Sequence, residues 1–562
     1  MKKPLVILFL ILSSSLLTIH AQNWYWARQG TGPMKPETSA YVATNESGDV
    51  YMAGHFSAPA IFKPDTLMNG FSDAFYLIKY NNIGTVLWAA QPLVCTESSC
   101  YGVATDNSDN AYITGSFGGG PFQFGSVSLS TGSGEGLLLA KYTPAGNPVW
   151  GDDDVSIHGS ATGMGVATDV MGHVYVTGNF ADTITIGTYT LKTFRSSSNV
   201  FIAKYDTAGH AIWAKQAVGP SQKSIGKAYS VAADLFGNTY ITGYFIDTIS
   251  FGSNTLISNL GNSVYLVKYS AAGNVLWAKQ SKLSSVTNTY GYSVTTDPSG
   301  SVYITGAFTD SVNFDGKKLF SLYGSFFLTK YDSNGNVSWA LQSSSGLPHG
   351  EQGTSVVSNG GYDVFLAGVC GDSLRCKGLL FEGNLSGESS SFLIKFDTAG
   401  NPICGNLVDG LGNCFGSDPF APASVAADGG GFVYLASTFY NGNVYWGSDT
   451  SFIRSGFDDI GLGRWKNCIG AGIDEATHQA PNTVLYPNPN SGQFTLEVKS
   501  EELRTKNIVE VYNMLGEKIY TTKLNATTTE LDLSNNASGI YLYRVLTETG
   551  TLVSDGKFVI QK

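Results

Sequence analysis

Charge is the scarcest commodity in this sequence: Asp, Glu, Lys and Arg make up 14% of its 562 residues, against about a quarter in ordinary globular chains. The 33 Lys and Arg residues form no cluster and the net charge is −11, so a phosphate-backbone partner has no electrostatic footprint and nucleic acid is disfavoured. Beyond Ile19 no stretch is apolar for long enough to cross a bilayer as a helix. Cysteine and histidine number only 7 each, with no CxxC and no paired His spacing, which leaves a zinc site without support. No glycine-rich loop links a strand to a helix, so a nucleotide phosphate cradle is missing too.

What is abundant is Gly (67), Tyr (30) and Phe (31), a composition suited to many short strands joined by Gly-rich turns. The stretch Gly273–Gln280, GNVLWAKQ, recurs with its preceding Lys-Tyr pair, and Trp26, Trp88, Trp150, Trp213, Trp277 and Trp339 follow one another at 62 to 64 residues. A fixed period of this length signals a repeat architecture. Each period holds four apolar runs, clearest as Tyr229–Ala233 (strand a), Thr239–Phe245 (b), Val264–Tyr269 (c) and Val275–Gln280 (d). The a–b joint, Asp234 to Asn238, and the c–d joint, Ser270 to Asn274, are five-residue turns with Gly near the end, the chemistry of a hairpin that needs one residue at positive φ. Each period is therefore expected to be a four-stranded antiparallel meander.

Strands a, b and c recur seven times, c ending at Lys79-Tyr80 in the first copy and Arg464-Trp465 in the last. Strand d breaks the count: none follows Trp465, yet an orphan copy, Trp24 to Gln29, precedes the first strand a. A ring in which this N-terminal strand completes the last sheet ties the chain ends together and leaves only short outer edges. The sequence thus predicts an all-β chain with a seven-bladed β-propeller, its N-terminal strand closing the last blade. The repeat pattern, GNVYITGxF and FxxKYxxxGNxxWAKQ, resembles the β-propeller repeats called SBBP repeats in bacterial exported proteins. That resemblance implies the fold and carries no catalytic residue. Cys404 in place of Trp, and Arg464-Trp465 in place of Lys-Tyr, depart from the pattern.

Lys2 and Lys3 followed by an apolar run ending near Ala21 read as a signal peptide. The predicted organisation is signal peptide 1–21, propeller 22–469, linker 470–482 and a final domain 483–562. The final domain alternates like a small immunoglobulin-like β-sandwich. Its opening Tyr486-Pro487-Asn488-Pro489, then Asn513-Met514-Leu515-Gly516, the Gly539-Ile540-Tyr541 strand and terminal Lys557 closely resemble the type A C-terminal sorting domain of the type IX secretion system. The resemblance implies the type IX machinery as a partner and a secreted or outer-surface address after passage through the periplasm. No membrane span is expected in the mature protein, and a monomer is.

Oxidising export permits disulfides, and the close pairs Cys95/Cys100, Cys370/Cys376 and Cys404/Cys414 each bracket a small loop, leaving Cys468 over. Asp106, Asp169, Asp234, Asp297 and Asp428 follow strand a, with Asn45 and Asn359 at related places. A residue repeated around a ring is expected to form turns, since acid–base chemistry needs two carboxylates in unlike environments. The Lys or Arg before each strand c aromatic is read as a solvated stem covering apolar surface. Real chemistry should break the symmetry, as His55, Asp152, Asp153, Asp154, His158, His349 and Glu351 do. The Asp152–Asp154 run offers oxygen ligands of the kind calcium takes but lacks DxDxDG spacing, so a solvated loop is expected, with no metal and no other cofactor. A surface or secreted binding protein for an unknown protein or glycan is the expected function; a glycan-acting hydrolase or lyase, resting on fold analogy, is the alternative. The ligand is expected on the face of the long d–a and b–c connections, near Asp152, His158, His349 and Glu351, because varied loops on a rigid scaffold are where recognition is usually placed.

Overall fold

A computed structural model describes residues 24–466 and 483–562. Left undescribed within these ranges are 32–39, 69–72, 131–133, 155–158, 194–197, 284–286, 345–349, 383–388, 412–422, 440–443, 447–449, 453–458, 487–489, 499–506, 514–516, 525–527 and 548–551, and single residues 58, 119, 362 and 372. The chain divides into two compact units, Met1–Gly470 and Ala471–Lys562. Every element among the described residues is a β-strand.

In the first unit the a-b-c-d order recurs as antiparallel ladders. The fourth is typical: Ile225–Ala233, then Thr239–Phe251, Asn254–Tyr269 and Val275–Gln280. Six ladders are continuous in sequence. In the last, Ala423–Ala427, Phe432–Phe439 and Asp459–Lys466 take Trp24–Gly30 as their fourth strand, with Trp26 opposite Arg464 and Gly30 opposite Ile460.

Junctions between successive sheets repeat one contact. The strand d Trp donates its indole N–H to a carbonyl in the next sheet's c–d turn: Trp88 to Pro144 at 2.9 Å, Trp213 to Ala271 at 3.1 Å, Trp339 to Thr398 at 3.0 Å. Trp26 does the same to Asn82 of the first sheet, at 3.0 Å. Each ring lies over the turn glycine. A Cβ on Gly273 would stand 2.8 Å from Trp213, and Gly273 has φ +78°. The WAKQ and GN motifs are therefore two halves of one inter-sheet contact. Gly273→Ala is expected to cost about 2–3 kcal/mol, combining positive-φ strain with displacement of the indole; equilibrium denaturation measures it, and a change under about 0.5 kcal/mol would contradict the contact.

The b–c connections hold a device the repeat pattern had not shown. Each carries a short hairpin, such as Thr183–Ile186 with Tyr189–Lys192, that folds beside strand d. The d-strand Gln mimics a backbone partner for it: Gln216 accepts from Lys192 N at 2.7 Å and donates to Lys192 O at 3.0 Å, and Gln280 makes the same pair with Ile257. The hairpin also bonds to the end of the preceding sheet's strand d, as Ala217 with Phe251, Val408 with Trp446, and Thr31 with Ile61.

The repeated aspartates do form turns. Asp234 Oδ1 accepts from Phe236 N and Asn238 N, both at 2.9 Å. The strand c cations are not solvated stems, however. Lys79, Lys141, Lys204, Lys268 and Lys395 are buried, because each ammonium sits over a strand b ring or against a carboxylate. Lys204 lies 4.9 Å from the Tyr175 ring centre and 3.7 Å from Asp169. Tyr175 donates to the same carboxylate at 2.9 Å. Burial works to raise the Asp169 carboxyl, but the hydrogen bonds from His173 and Tyr175 bring it below the ordinary carboxylate range. Where the turn residue is Asn, the carboxylate reappears four positions later: Lys79 pairs with Asp49 at 3.1 Å and Lys395 with Asp363 at 3.0 Å.

The second unit has a three-stranded sheet, Thr483–Tyr486, Gln493–Val498 and Thr528–Asp532, and a four-stranded one, Asn507–Tyr512, Lys518–Leu524, Gly539–Thr547 and Leu552–Ile560. Phe494, Leu496 and Leu531 of the first share a core with Val509, Val511, Tyr543, Val545 and Phe558 of the second.

Candidate functional site

The seven a strands line one cavity of about 440 Å³. Short polar side chains stitch them together. Ser230 accepts from Val294 N at 3.2 Å, Ser293 from Val356 N at 3.1 Å, and Ser355 from Val425 N at 3.1 Å. Ser424 accepts from Val42 N at 3.2 Å and Thr44 donates to Ala427 O at 2.8 Å, joining the last a strand to the first.

Five of these strands contain a β-bulge at one level, skipping Tyr101, Met164, Tyr229, Tyr292 and Thr354 in the register with strand b. A bulge re-aims a side chain, and all five residues line the cavity together with Tyr41 and Ser424 of the two unbulged strands. This tier is one-sided: four Tyr and a Met on consecutive strands face Thr354 and Ser424. The aromatic side is backed by further rings. His55 lies 6.0 Å from Tyr101, Tyr229 lies 6.0 Å from Tyr244, and Tyr290 stacks on Tyr292 at 5.9 Å. Burial raises the Tyr244 and Tyr292 hydroxyls above the ordinary tyrosine range, so both are neutral hydroxyls. Among the described residues of the lining there is no Asp, Glu, Lys, Arg or His. The arrangement offers ring faces and hydroxyls without charge.

The predicted site residues are not gathered here. Asp152, Asp153 and Asp154 continue strand d of the second sheet in register with Leu139, Leu138 and Leu137, so the run extends a ladder where a loop was expected. Glu351 is buried beside the sixth strand a and accepts from Ser343 at 2.8 Å. His158 and His349 lie outside the described residues. In the second unit Gly539 opens a strand opposite Ile560, Tyr541 is buried and donates to Ala537 O at 2.7 Å, and Lys557 stands opposite Leu542; Pro487, Asn488, Pro489 and Gly516 lie outside the described residues.

Two expected disulfides are absent. Cys95 and Cys100 are buried thiols, with Cys100 Sγ 3.4 Å from Gly102 O; the strand beginning at Glu97 extends the chain by roughly 3.3 Å per residue and draws the pair apart. Cys370 and Cys376 end separate strands and are buried thiols in one core. Burial pushes the Cys95 thiol up to about 11 and the Cys100 and Cys376 thiols up to about 12, which makes them unreactive. Cys404 is disulfide-bonded; Cys414 lies outside the described residues.

Comparison with known proteins matches residues 484–561 to a family described as secretion system C-terminal sorting domain, and residues 212–244 to one described as beta-propeller repeat. The tail is thus a type IX sorting domain, which marks the chain for the cell surface or secretion and for the secretion machinery as a partner. A curated relative, an uncharacterized WD repeat-containing protein of Acanthamoeba polyphaga mimivirus, is 23% identical over 332 residues; the match spans 48% of this chain and 24% of that protein's length. Among solved structures, a fungal alcohol oxidase in complex with copper is 11% identical, with 96% of this chain and 100% of that one covered and a TM-score of 0.37. PorZ, a surface component of the type-IX secretion system of Porphyromonas gingivalis, is 10% identical, with 95% and 100% covered and a TM-score of 0.13. At these TM-scores the two structures carry no argument about this chain.

Proposed function

We propose that residues 22–469, after removal of a signal peptide at 1–21, form a closed seven-bladed β-propeller whose central cavity binds a neutral, hydroxylated ligand of the saccharide class. Residues 483–562, after a linker at 470–482, are the removable sorting tail, built as a small immunoglobulin-like sandwich. The observation that carries the binding reading is the one-sided tyrosine tier on a charge-free cavity. Pyranose rings present apolar C–H faces that aromatic rings cover, and the Tyr hydroxyls supply the few directional bonds that orient a ligand. A cavity without charges gives an ionic ligand no counter-charge to replace its lost hydration. The glycan-hydrolase alternative ordinarily calls on a pair of carboxylates, and none is among the described residues of the lining.

Isothermal titration of the mature protein with neutral and acidic oligosaccharides tests this. Neutral ones are expected to bind, and Tyr229→Ala with Tyr292→Ala to weaken binding at least about tenfold, or 1.4 kcal/mol, while Phe236→Ser, at an exposed a–b turn, leaves it unchanged. Binding indifferent to the tyrosines, or confined to acidic ligands, refutes the reading.

A further inference from the structure

We propose that Tyr244 and Tyr290 form a second saccharide subsite, continuous with the tyrosine tier of the cavity, so that the protein binds a neutral chain of two or more sugar units in preference to a single sugar. A ligand of that length presupposes the saccharide reading of the cavity. Neither residue lines the cavity, yet each touches one that does. Tyr290 lies parallel to Tyr292, with 6° between the rings and 5.9 Å between their centres, and Tyr244 lies 6.0 Å from Tyr229. Tyr290 meets Tyr244 edge-on at 5.0 Å and Tyr229 meets Tyr292 at 5.7 Å, which closes the four rings into one patch across the fourth and fifth sheets.

The scaffold does not require the second pair. Two residues before the bulge, where the fifth sheet has Tyr290, the other bulged sheets have Ser99, Thr162, Lys227 and Gln352; opposite these on strand b stand Ser116, Asn179, Tyr244 and Val369. Asn179 accepts from Ala228 N at 2.9 Å and donates to Ala228 O at 3.3 Å, so a short polar side chain at the strand b position is enough to join one sheet to the next. Among the described residues, none of the four tyrosines belongs to the hydrophobic cores packed around the fourth and fifth sheets, and all four are half-buried. Half-exposed rings outside a core present apolar faces that a sugar ring can cover. The place of the pair sets the direction of the chain. Tyr290 precedes Tyr292 along Thr287–Thr296, so it stands on the d–a side of the tier. On the other side the hydroxyls of Thr44, Thr105, Thr168 and Thr296 donate to carbonyls of neighbouring a strands, at 2.6 to 3.0 Å. A first sugar on the tier therefore continues toward the d–a connections, over Tyr244 and Tyr290. The second unit is already tethered, so its contact is gained without a second loss of translational freedom.

Isothermal titration of the mature protein with glucose, cellobiose and cellotriose, and with mannose, galactose and their neutral disaccharides, tests the length. For a sugar that binds, two units are expected to bind at least about tenfold tighter than one, and Tyr290→Thr or Tyr244→Asn, which install what the third sheet carries at these positions, to reduce that ratio to under about threefold. Equal affinity for one and two units in the parent overturns the subsite and leaves the cavity reading intact. Equal losses for one and two units in the variants, as a pair that only props Tyr229 and Tyr292 would give, overturn it as well. Binding of no neutral sugar refutes the cavity reading and the subsite with it. Should the variants fail to fold, hydrogen exchange of the parent decides: the peptide bearing Tyr244 gains protection with the two-unit ligand and not with the single sugar, and equal protection by both overturns the subsite.

Discussion

Removal of Trp24–Gly30 should leave a chain that aggregates or is cut readily by protease, with no cooperative transition at the parent's melting temperature. The strand supplies the outer ladder of the seventh sheet, pairing from Trp24 opposite Trp465 to Gly30 opposite Ile460. It also makes the contact to the first sheet. Trp26 bonds Asn82 O at 3.0 Å, Arg28 bonds Gly84 O at 2.7 Å and Ile83 O at 3.0 Å, and Thr31 exchanges bonds with Ile61 at 2.7 and 3.0 Å. Trp24, buried against Trp446 with ring centres 4.7 Å apart, leaves with it. Losing a buried Trp alone costs about 3–5 kcal/mol, and the exposed edge of Asp459–Lys466 invites pairing with other chains. The total is comparable with the roughly 5–15 kcal/mol net stability of a folded domain. Size-exclusion chromatography with limited proteolysis reads the outcome; a monomer as resistant as the parent contradicts the closure.

The exchange of carboxylates between turn positions predicts a smaller loss together with its rescue. Asp49→Asn leaves the Lys79 ammonium over the Tyr51 ring, 5.0 Å from its centre, with no carboxylate in the position Asp49 occupies at 3.1 Å. Burial alone would lower the Lys79 pKa; Tyr51 and Asp49 hold it above the usual lysine value. Lys79 is buried while Asp49 is about one-fifth exposed, so losing the carboxylate costs about 1–3 kcal/mol, below the cost for a fully buried pair. Asn45→Asp in the same chain puts the carboxylate where Asp169, Asp234 and Asp297 stand in their own sheets, 3.7 to 4.0 Å from Lys204, Lys268 and Lys330. The double variant should therefore recover to within about 1 kcal/mol of the parent, a coupling that urea denaturation of the four-member cycle measures. Additive losses would mean that the lysine does not need the carboxylate.

The repeat was legible because its punctuation is local. A period of Gly-Asn turns and Lys-Tyr-ended strands gave the a-b-c-d ladders, and the orphan Trp24–Gln29 stretch gave the strand that completes the last sheet. The b–c hairpins were hidden because their only partner signal is Gln91, Gln216, Gln280 and Gln342, polar residues that read as surface until the Lys192 and Ile257 backbones are seen beside them. The buried lysines were misread because alternation along strand c fixes a face without saying whether the next sheet covers it. The cavity tier left a trace that went unused. Tyr101, Met164, Tyr229, Tyr292 and Thr354 stand five residues before the turn Asp or Asn, while Tyr41 and Ser424 stand four before it. That extra residue is the bulge. The Cys95/Cys100 and Cys370/Cys376 expectations failed because short separation along a chain is not short separation in space once a strand intervenes, as it does between Cys95 and Cys100. Asp152 to Asp154 drew attention through charge in a charge-poor chain, yet the ladder carries them along an outer strand.

Hydrogen exchange, mapped by mass spectrometry with and without a neutral oligosaccharide, tests most directly whether recognition resides in the cavity. The expected result is added protection in the peptides bearing Tyr41, Tyr101, Tyr229 and Tyr292, on four different sheets at once, lost in the Tyr229→Ala, Tyr292→Ala variant. Protection confined to the a–b and c–d turns, or to the Asp152–Asp154 strand, would contradict it.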